Sequence, residues 1–462
     1  MKTKKIIIIA LAAVALTGCK SLYGTYERPD DVKMDNIVRD PLNDQDYLSA
    51  ADSTGFGNLP WRSVFTDPQL QTIIEKTLAN NPDLLNAALN IDMAEQQLKA
   101  AKLAYLPSVV FAPQGTISHF DHHAEATKSY TLPIAASWDI SLFGNLLSQK
   151  RAAQVSLLQA KDYQVAVKTG LIANVANLYY TLLMLDRQQE IVKDMQQLTK
   201  DTWDMMQLQM DFGRARSTSV QSAEAAYYSV LTQDATIRQN IREVENSLSL
   251  LMGEPAHAIA RGKLETQVLP EQYAAGVGLN MLANRADVHA KEMALAACFY
   301  NVETARSRFY PSINISPTGA FTNLSGAVNP GKILLSVVGQ LTQPIFMKGQ
   351  LIAGLRVAKD QYEIAYNDWQ NAILSAGSEV SNALVVYSSS TEKSQLEEKQ
   401  IEVLKKNVEH TQMLFKQSSS TYLEVITAQQ QLLNAEISKV QDDFSKMQAV
   451  VNLYYALGGG TD

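Results

Sequence analysis

The chain has 462 residues, 46% of them hydrophobic and 8% aromatic, and a formal net charge of -7. That length exceeds one ordinary domain, and the modest Gly and Pro content excludes a collagen-like or disordered chain. Removing residues 1–18 takes away Lys2, Lys4 and Lys5 and no acid, leaving about -10 with no basic block, which excludes nucleic acid as a partner.

Taken in order, the three lysines precede an apolar run from Ile6 to Leu16. At about eleven residues that run is too short to cross a bilayer as a helix. Leu16-Thr17-Gly18-Cys19 follows, and residues 1–18 resemble a bacterial lipoprotein signal in which Cys19 is acylated, for example with palmitate, and becomes the new N-terminus. The alternative is a plain secretory signal with a chance cysteine. Lys20, rather than Asp, points away from inner-membrane retention. Residues 19–66 are expected to form an extended N-terminal segment carrying the lipid anchor.

Besides the acylated Cys19 the mature chain has one cysteine, Cys298, so no intrachain disulfide is possible, and no Cys/His spacing builds a metal site. In its Ala-rich helical setting it reads as a small apolar core residue. No mature segment has eighteen consecutive apolar residues, so a membrane crossing would require strands closed into a barrel.

The sequence is written twice. Asp83–Ile117 matches Asp287–Phe321 at an offset of 204, including Ala101/Ala305, Pro107/Pro311 and Gly115/Gly319. Arg151–Gly253 matches Arg356–Gly458 at 205, including Val175/Val380, Asn177/Asn382, Ala223/Ala428 and Gly253/Gly458. A tandem duplication follows. Its boundaries are read as repeat 1 at 67–253, an inter-repeat linker at 254–284, repeat 2 at 285–458 and a tail at 459–462.

Each repeat reads as helix, two strands, very long helix, tight turn, helix. Strands are expected at about 108–120, 129–142, 312–323 and 332–345. In the second of these Leu132, Ile134, Ala136, Trp138, Ile140 and Leu142 alternate with Ser137, Asp139 and Ser141. Period-two alternation gives one apolar and one polar face; a soluble sheet packed on helices would do the same. Pro113 and Pro317 suit an edge, a bulge or a barrel end. Long helices are expected at 145–211 and 349–415, since 145–211 holds no Pro and a single Gly; 67 residues would run about 100 Å. Leu171, Val175, Leu178, Leu182 and Leu185 follow coiled-coil spacing, repeated more weakly at Val380, Ala383 and Tyr387. Shorter helices flank them at about 67–105, 217–252 and 421–457. The fold class is therefore mainly α with a transmembrane β part. Four strands cannot close around a lumen, and an open edge in lipid leaves unpaired backbone groups. Three chains would supply twelve strands, which makes a homotrimer the simplest closure.

Several motifs resemble the TolC/OprM-like outer-membrane efflux proteins, in the lipoprotein branch of the outer-membrane factors of RND-type tripartite systems. They are Tyr26-Glu27-Arg28-Pro29, Trp61-x3-Phe65-x-Asp67-Pro68-x-Leu70 and Asn80-Asn81-Pro82-Asp83-Leu84, followed by the junctions Ala104–Ser108, Trp138–Gly144, Phe309–Ser312 and Gln343–Gly349. The resemblance spans nearly the whole mature chain. It implies a 12-stranded trimeric β-barrel continued by an α-helical coiled-coil tunnel in the periplasm. Such a duct docks through a periplasmic adaptor (membrane fusion) protein onto an inner-membrane RND-type transporter, sits in outer-membrane lipid, and needs no cofactor and no catalytic residue. The linker would join an equatorial belt.

The resemblance also implies site residues. Gly213, Arg214, Arg216 and Ser217 match one adaptor-contact tip, and Ser418, Ser419 and Ser420 the other. Arg214 and Arg216 read equally as solvated charges. Relatives carry a D-x-x-D pair at the periplasmic gate; here Glu424 and Thr427 stand there, so one carboxylate remains per chain, and an exposed helix glutamate is the plainer reading. Ser418 replaces the family's glycine. The expected function is a passive exit duct for small hydrophobic or amphiphilic compounds. The alternatives are the duct of a type I protein or peptide secretion system, or a soluble scaffold without a pore. No nucleophile–base pair or phosphate loop suggests an enzyme.

Overall fold

A computed structural model describes residues 24–29, 56–118, 127–268, 285–323, 333–417 and 421–461. After a short helix α1 (Trp61–Val64) come α2 (Pro68–Asn80) and α3 (Pro82–Leu103). Strands β1 (Ser108–Phe111), β2 (Gln114–Ser118) and β3 (Thr127–Ile140) precede α4 (Asn145–Asp211) and α5 (Ser217–Leu251). The second half runs α6 (Ala286–Ser307), β4 (Ser312–Asn323), β5 (Ile333–Thr342), α7 (Gln350–Lys416) and α8 (Tyr422–Ala456). Corresponding helices have equal lengths: 22 residues for α3 and α6, 67 for α4 and α7, and 35 for α5 and α8.

The chain divides into two compact units. One, within residues 1–32, 89–162 and 289–371, holds the sheet. Its strands are antiparallel, with β3 and β4 inside, β1 and β2 paired to β3, and β5 paired to β4. β1 and β2 act as one interrupted strand: Phe111 faces Ile134 and Gln114 faces Thr131 in unbroken register, and the break falls at Ala112-Pro113. Proline has no N–H to give the ladder, and this is an edge strand. Pro317 departs from the sequence expectation, because β4 is an inner strand. Pairing with β5 runs through Pro317–Val337, while the ladder with β3 skips from Ala135–Thr318 to Trp138–Ile315. The missing N–H therefore costs only the β3 side.

One face of the sheet carries Val109, Phe111, Leu132, Ile134, Trp138, Leu335, Val337 and Leu341, all exposed, with Leu335 at 80%. The other face has polar contacts, among them Asn314 donating to Asp139 (2.6 Å) and to Ser137 (3.0 Å). In the same unit residues 24–29 are seated on α6. The Tyr26 N–H donates to the Tyr300 hydroxyl (3.2 Å), Arg28 grips the Glu292 carboxylate with two hydrogen bonds, and Arg151 donates to Gly24 O (2.8 Å).

The other unit lies within residues 33–88, 163–288 and 372–462. The expected single helix 67–105 is two helices here, because Pro82 cannot donate to Pro68–Asn80's last turn and Asn81 is extended (φ -64, ψ 126). Asp67 caps α2, accepting from Gln69 N–H, with Pro68 at the first helical position. The Tyr179 hydroxyl (2.6 Å) and Gln267 amide (2.8 Å) also donate to Asp67, while Trp61, Phe65 and Leu70 are fully buried. Between Leu171 and Leu185, α4 is buried almost all round rather than along one seam, with Ile172, Ala176, Tyr180 and Leu183 also enclosed. Each such large apolar side chain contributes about 1.5–3 kcal/mol on burial.

Candidate functional site

The expected tip and gate residues that the structure describes belong to the second unit. α4 ends in a Schellman turn: the Gly213 N–H donates to Met210 O and the Arg214 N–H to Gln209 O, each at 2.8 Å. Gly213 has φ +70, a conformation that strains any side chain. Arg214, Arg216 and Ser217 are exposed, and Arg216 holds the N-cap of α5 without a side-chain cap bond. Ser418, Ser419 and Ser420 lie outside the described residues, as does Cys19.

At the start of α8 the Thr421 hydroxyl accepts from the Glu424 N–H (3.4 Å). Thr421 and Glu424 stand at N-cap and N3, the spacing of a capping box, and an anion in the first turn suits the helix dipole. Glu424 and Thr427 are both exposed, one turn apart, whereas Val425, Ile426, Ala428 and Gln429 are buried. The helix thus presents one polar stripe and one core stripe. This capping role was missed in the sequence, although Thr421-x-x-Glu424 was its signal.

The structure brings both helical hairpins together behind these turns. Met206, Val220 and Ala223 share one apolar cluster with Phe415, Val425 and Ile426, and Ala215 and Tyr422 pack against it from the turns. Deeper along α8, the buried Gln429 amide donates to the Thr202 hydroxyl of α4 (2.9 Å). Trp203 stacks on Tyr227 with ring centroids 5.7 Å apart. No sequence signal pairs residues 227 apart, so the Thr202–Gln429 contact was not legible. Glu397 of α7 has its pKa pushed up, by burial first and then by the neighbouring Asp442 and Asp443 carboxyls.

The far ends of α5 and α8 are closed differently. The Asn81 amide donates to Leu251 O (3.0 Å) and its carbonyl accepts from the Asp83 N–H (2.9 Å). At the matching place Arg285 donates to Ala456 O (3.2 Å), to Glu379 (2.7 Å) and to both oxygens of Asp287. Burial works to raise the pKa of Asp287, but the hydrogen bond and charge of Arg285 together pull it below the ordinary carboxylate value. Within the described part of the linker, Arg261 bridges Asp186 of α4 and Glu245 of α5.

Among the described residues no group of His, Cys, Asp and Glu could hold a metal ion, and no helix is long and apolar enough to cross a membrane.

The chain is 26% identical over 456 residues to the cation efflux system protein CusC of Escherichia coli K12, covering 97% of this chain and 98% of that protein. It is 26% identical over 476 residues to the toluene efflux pump outer membrane protein TtgC of Pseudomonas putida, covering 99% and 96%. Its fold matches the open-state crystal structure of the Neisseria gonorrhoeae MtrE outer membrane channel with a TM-score of 0.83 at 24% identity, covering 95% of this chain and 98% of that one. The sequence model for outer membrane efflux proteins matches twice, at residues 73–254 and 279–459. The chain therefore belongs to the outer membrane efflux protein family, a family of channels and not of enzymes.

Proposed function

We propose that this chain is the exit duct of a tripartite efflux system, acylated at Cys19 and anchored in the outer membrane. Three copies each contribute four staves to a 12-stranded barrel, and their tandem helical repeats form a coiled-coil tunnel in the periplasm. Small molecules pass through it from an inner-membrane RND-type transporter by way of a periplasmic adaptor that meets the turns at 213–217 and 418–420. Glu424 lines the periplasmic gate as a ring of three carboxylates, with Thr427 one turn beyond.

The observation that carries this reading is the sheet. It is antiparallel, exposes its apolar face, and has an edge at β1–β2 and another at β5. In lipid each unpaired N–H or C=O costs several kcal/mol, which only closure with further strands removes. The 14, 12 and 10 residues of β3, β4 and β5 meet the roughly 9–11 needed to span a bilayer. The repeat reading is supported by the double family match and by the equal helix lengths of the two halves. Relatives named for cations and for toluene match this chain at the same 26% identity, which fits a passive duct whose pump chooses the cargo.

The test is the mass of the purified protein in mild detergent together with planar-bilayer recording. Three chain masses and stepwise conductance, in the wild type or in Glu424→Gln, are expected. A single-chain particle that never conducts would overturn the duct.

A further inference from the structure

Among the described strand residues only Lys128 and Asp139 are charged, and they lie on opposite faces of the sheet. Side chains alternate along β3, so Lys128, paired with Ile117, shares the apolar face of Leu132, Ile134 and Trp138. Asp139 pairs with Asn314, which pairs in turn with Gln340, and it shares the polar face with Ser137 and Ser316. It is exposed, and α4 begins six residues further on, so it stands where the sheet meets the long helices. At the offset of 205 its counterpart is Pro344, which leaves one such carboxylate per chain.

This carboxylate does not hang free. The Asn314 amide donates to Asp139 (2.6 Å) and to Ser137 (3.0 Å), while the Ser316 hydroxyl donates to the Asn314 carbonyl (2.5 Å). With its carbonyl engaged, the amide turns its N–H groups toward the acid; reversed, it would set two acceptor oxygens against each other. Among the described residues no Lys, Arg or His forms an ion pair with Asp139. Its charge is held in position and left uncompensated.

We infer that Asp139 is a charge filter at the helix-proximal mouth of the barrel, favouring cationic solutes over anionic ones, with Asn314 as its positioning residue. The inference rests on the proposed three-chain duct, in which the polar face lines the lumen and three Asp139 side chains form a ring. A ring of carboxylates draws cations and repels anions. Lipid outside the wall keeps field lines within the lumen, and the neighbouring hydroxyls and amides supply no opposing charge. Because the ring is built into paired strands, it acts whatever the state of the proposed gate at Glu424. A cation arriving from the tunnel is concentrated there, and an anion meets a barrier.

The experiment reads reversal potentials of the full-length chain in planar bilayers under a potassium chloride gradient. Asp139→Asn is expected to lower the cation-to-anion permeability ratio roughly threefold, Asp139→Lys to invert it, and Asp139→Glu to keep it. Asn314→Ala, which frees the acid, is expected to give part of the Asp139→Asn loss. Lys128→Gln, a charge change of similar size on the opposite face, is expected to leave the ratio at its wild-type value. Asp139→Cys in a Cys298→Ala background gives a second route. A water-soluble anionic methanethiosulfonate restores the ratio there, and its cationic analogue inverts it. Channels that conduct with an unchanged ratio in Asp139→Asn, or in Asp139→Cys after either reagent, overturn the filter and leave the duct standing. Wild-type protein that never conducts overturns both.

Discussion

The two halves of the molecule solve the same mechanical problems with different residues. At the helix-to-strand junction, the Trp138 indole donates to Tyr105 O (3.0 Å) in the first half, and the Gln343 amide donates to Phe309 O (3.0 Å) in the second. At the closing end, Asn81 holds Leu251 O and Arg285 holds Ala456 O. The carbonyls are fixed by backbone geometry and must be satisfied when buried, so any donor of suitable reach serves. What changes is everything attached to that donor. Asn81 is neutral and local, whereas Arg285, 3% exposed, recruits Asp287, Glu379 and the ring face of Tyr455. The second half has thereby acquired an ionic lock where the first keeps an amide.

Removing each lock tests that contrast most strongly. Arg285→Ala strands two carboxylates and a carbonyl and should cost about 2–4 kcal/mol, the partly exposed carboxylates keeping it below the full buried-pair penalty. Asn81→Ala should cost about 1–2 kcal/mol. Denaturant midpoints in detergent measure both, and equal losses would erase the distinction. The locks also differ in pH response. The depressed pKa of Asp287 contributes stability above its ordinary value of 3.8, and that contribution disappears as pH falls through the lowered one. The gap between wild type and Arg285→Gln should therefore be full at neutral pH and narrow below the ordinary carboxylate range. The gap for Asn81→Ala should stay level.

The turns allow the contrast to be exchanged. Thr421→Ala should loosen the first turn of α8 by about 1 kcal/mol, and Arg216→Ser should tighten that of α5 by about half as much. Hydrogen exchange of the first-turn amides reports each. The smallest effect concerns the proposed gate. The counterpart of Glu424 in the first half is Ser219, which is buried, so the carboxylate ring proposed for a trimer would have three members and not six. Glu424→Gln should lower cation preference roughly twofold, read from reversal potentials under a salt gradient, while Ser222→Ala, at the counterpart of Thr427, leaves it unchanged.

Local rules made much of this legible. A span of 67 residues without proline could be read as one helix, and alternation in 132–142 announced a two-faced strand. Gly213 could be placed at a turn because glycine alone takes φ +70 without strain. The break at Asn81-Pro82 was equally local but was hidden by an uninterrupted helical pattern on both sides. The capping bond at Thr421 had a signal that the gate reading overshadowed.

The sequence by itself determined the order of elements in both halves, the apolar and polar faces of the strands and the position of the turn at Gly213, because each depends on neighbours a few residues apart. Only the tertiary structure decided that α4 is enclosed almost all round at 171–185, that Gln429 meets Thr202, and that Arg285 gathers Asp287, Glu379, the Ala456 carbonyl and the Tyr455 ring. Those facts depend on which distant surfaces meet and how much water they exclude, and spacing along a chain does not record that.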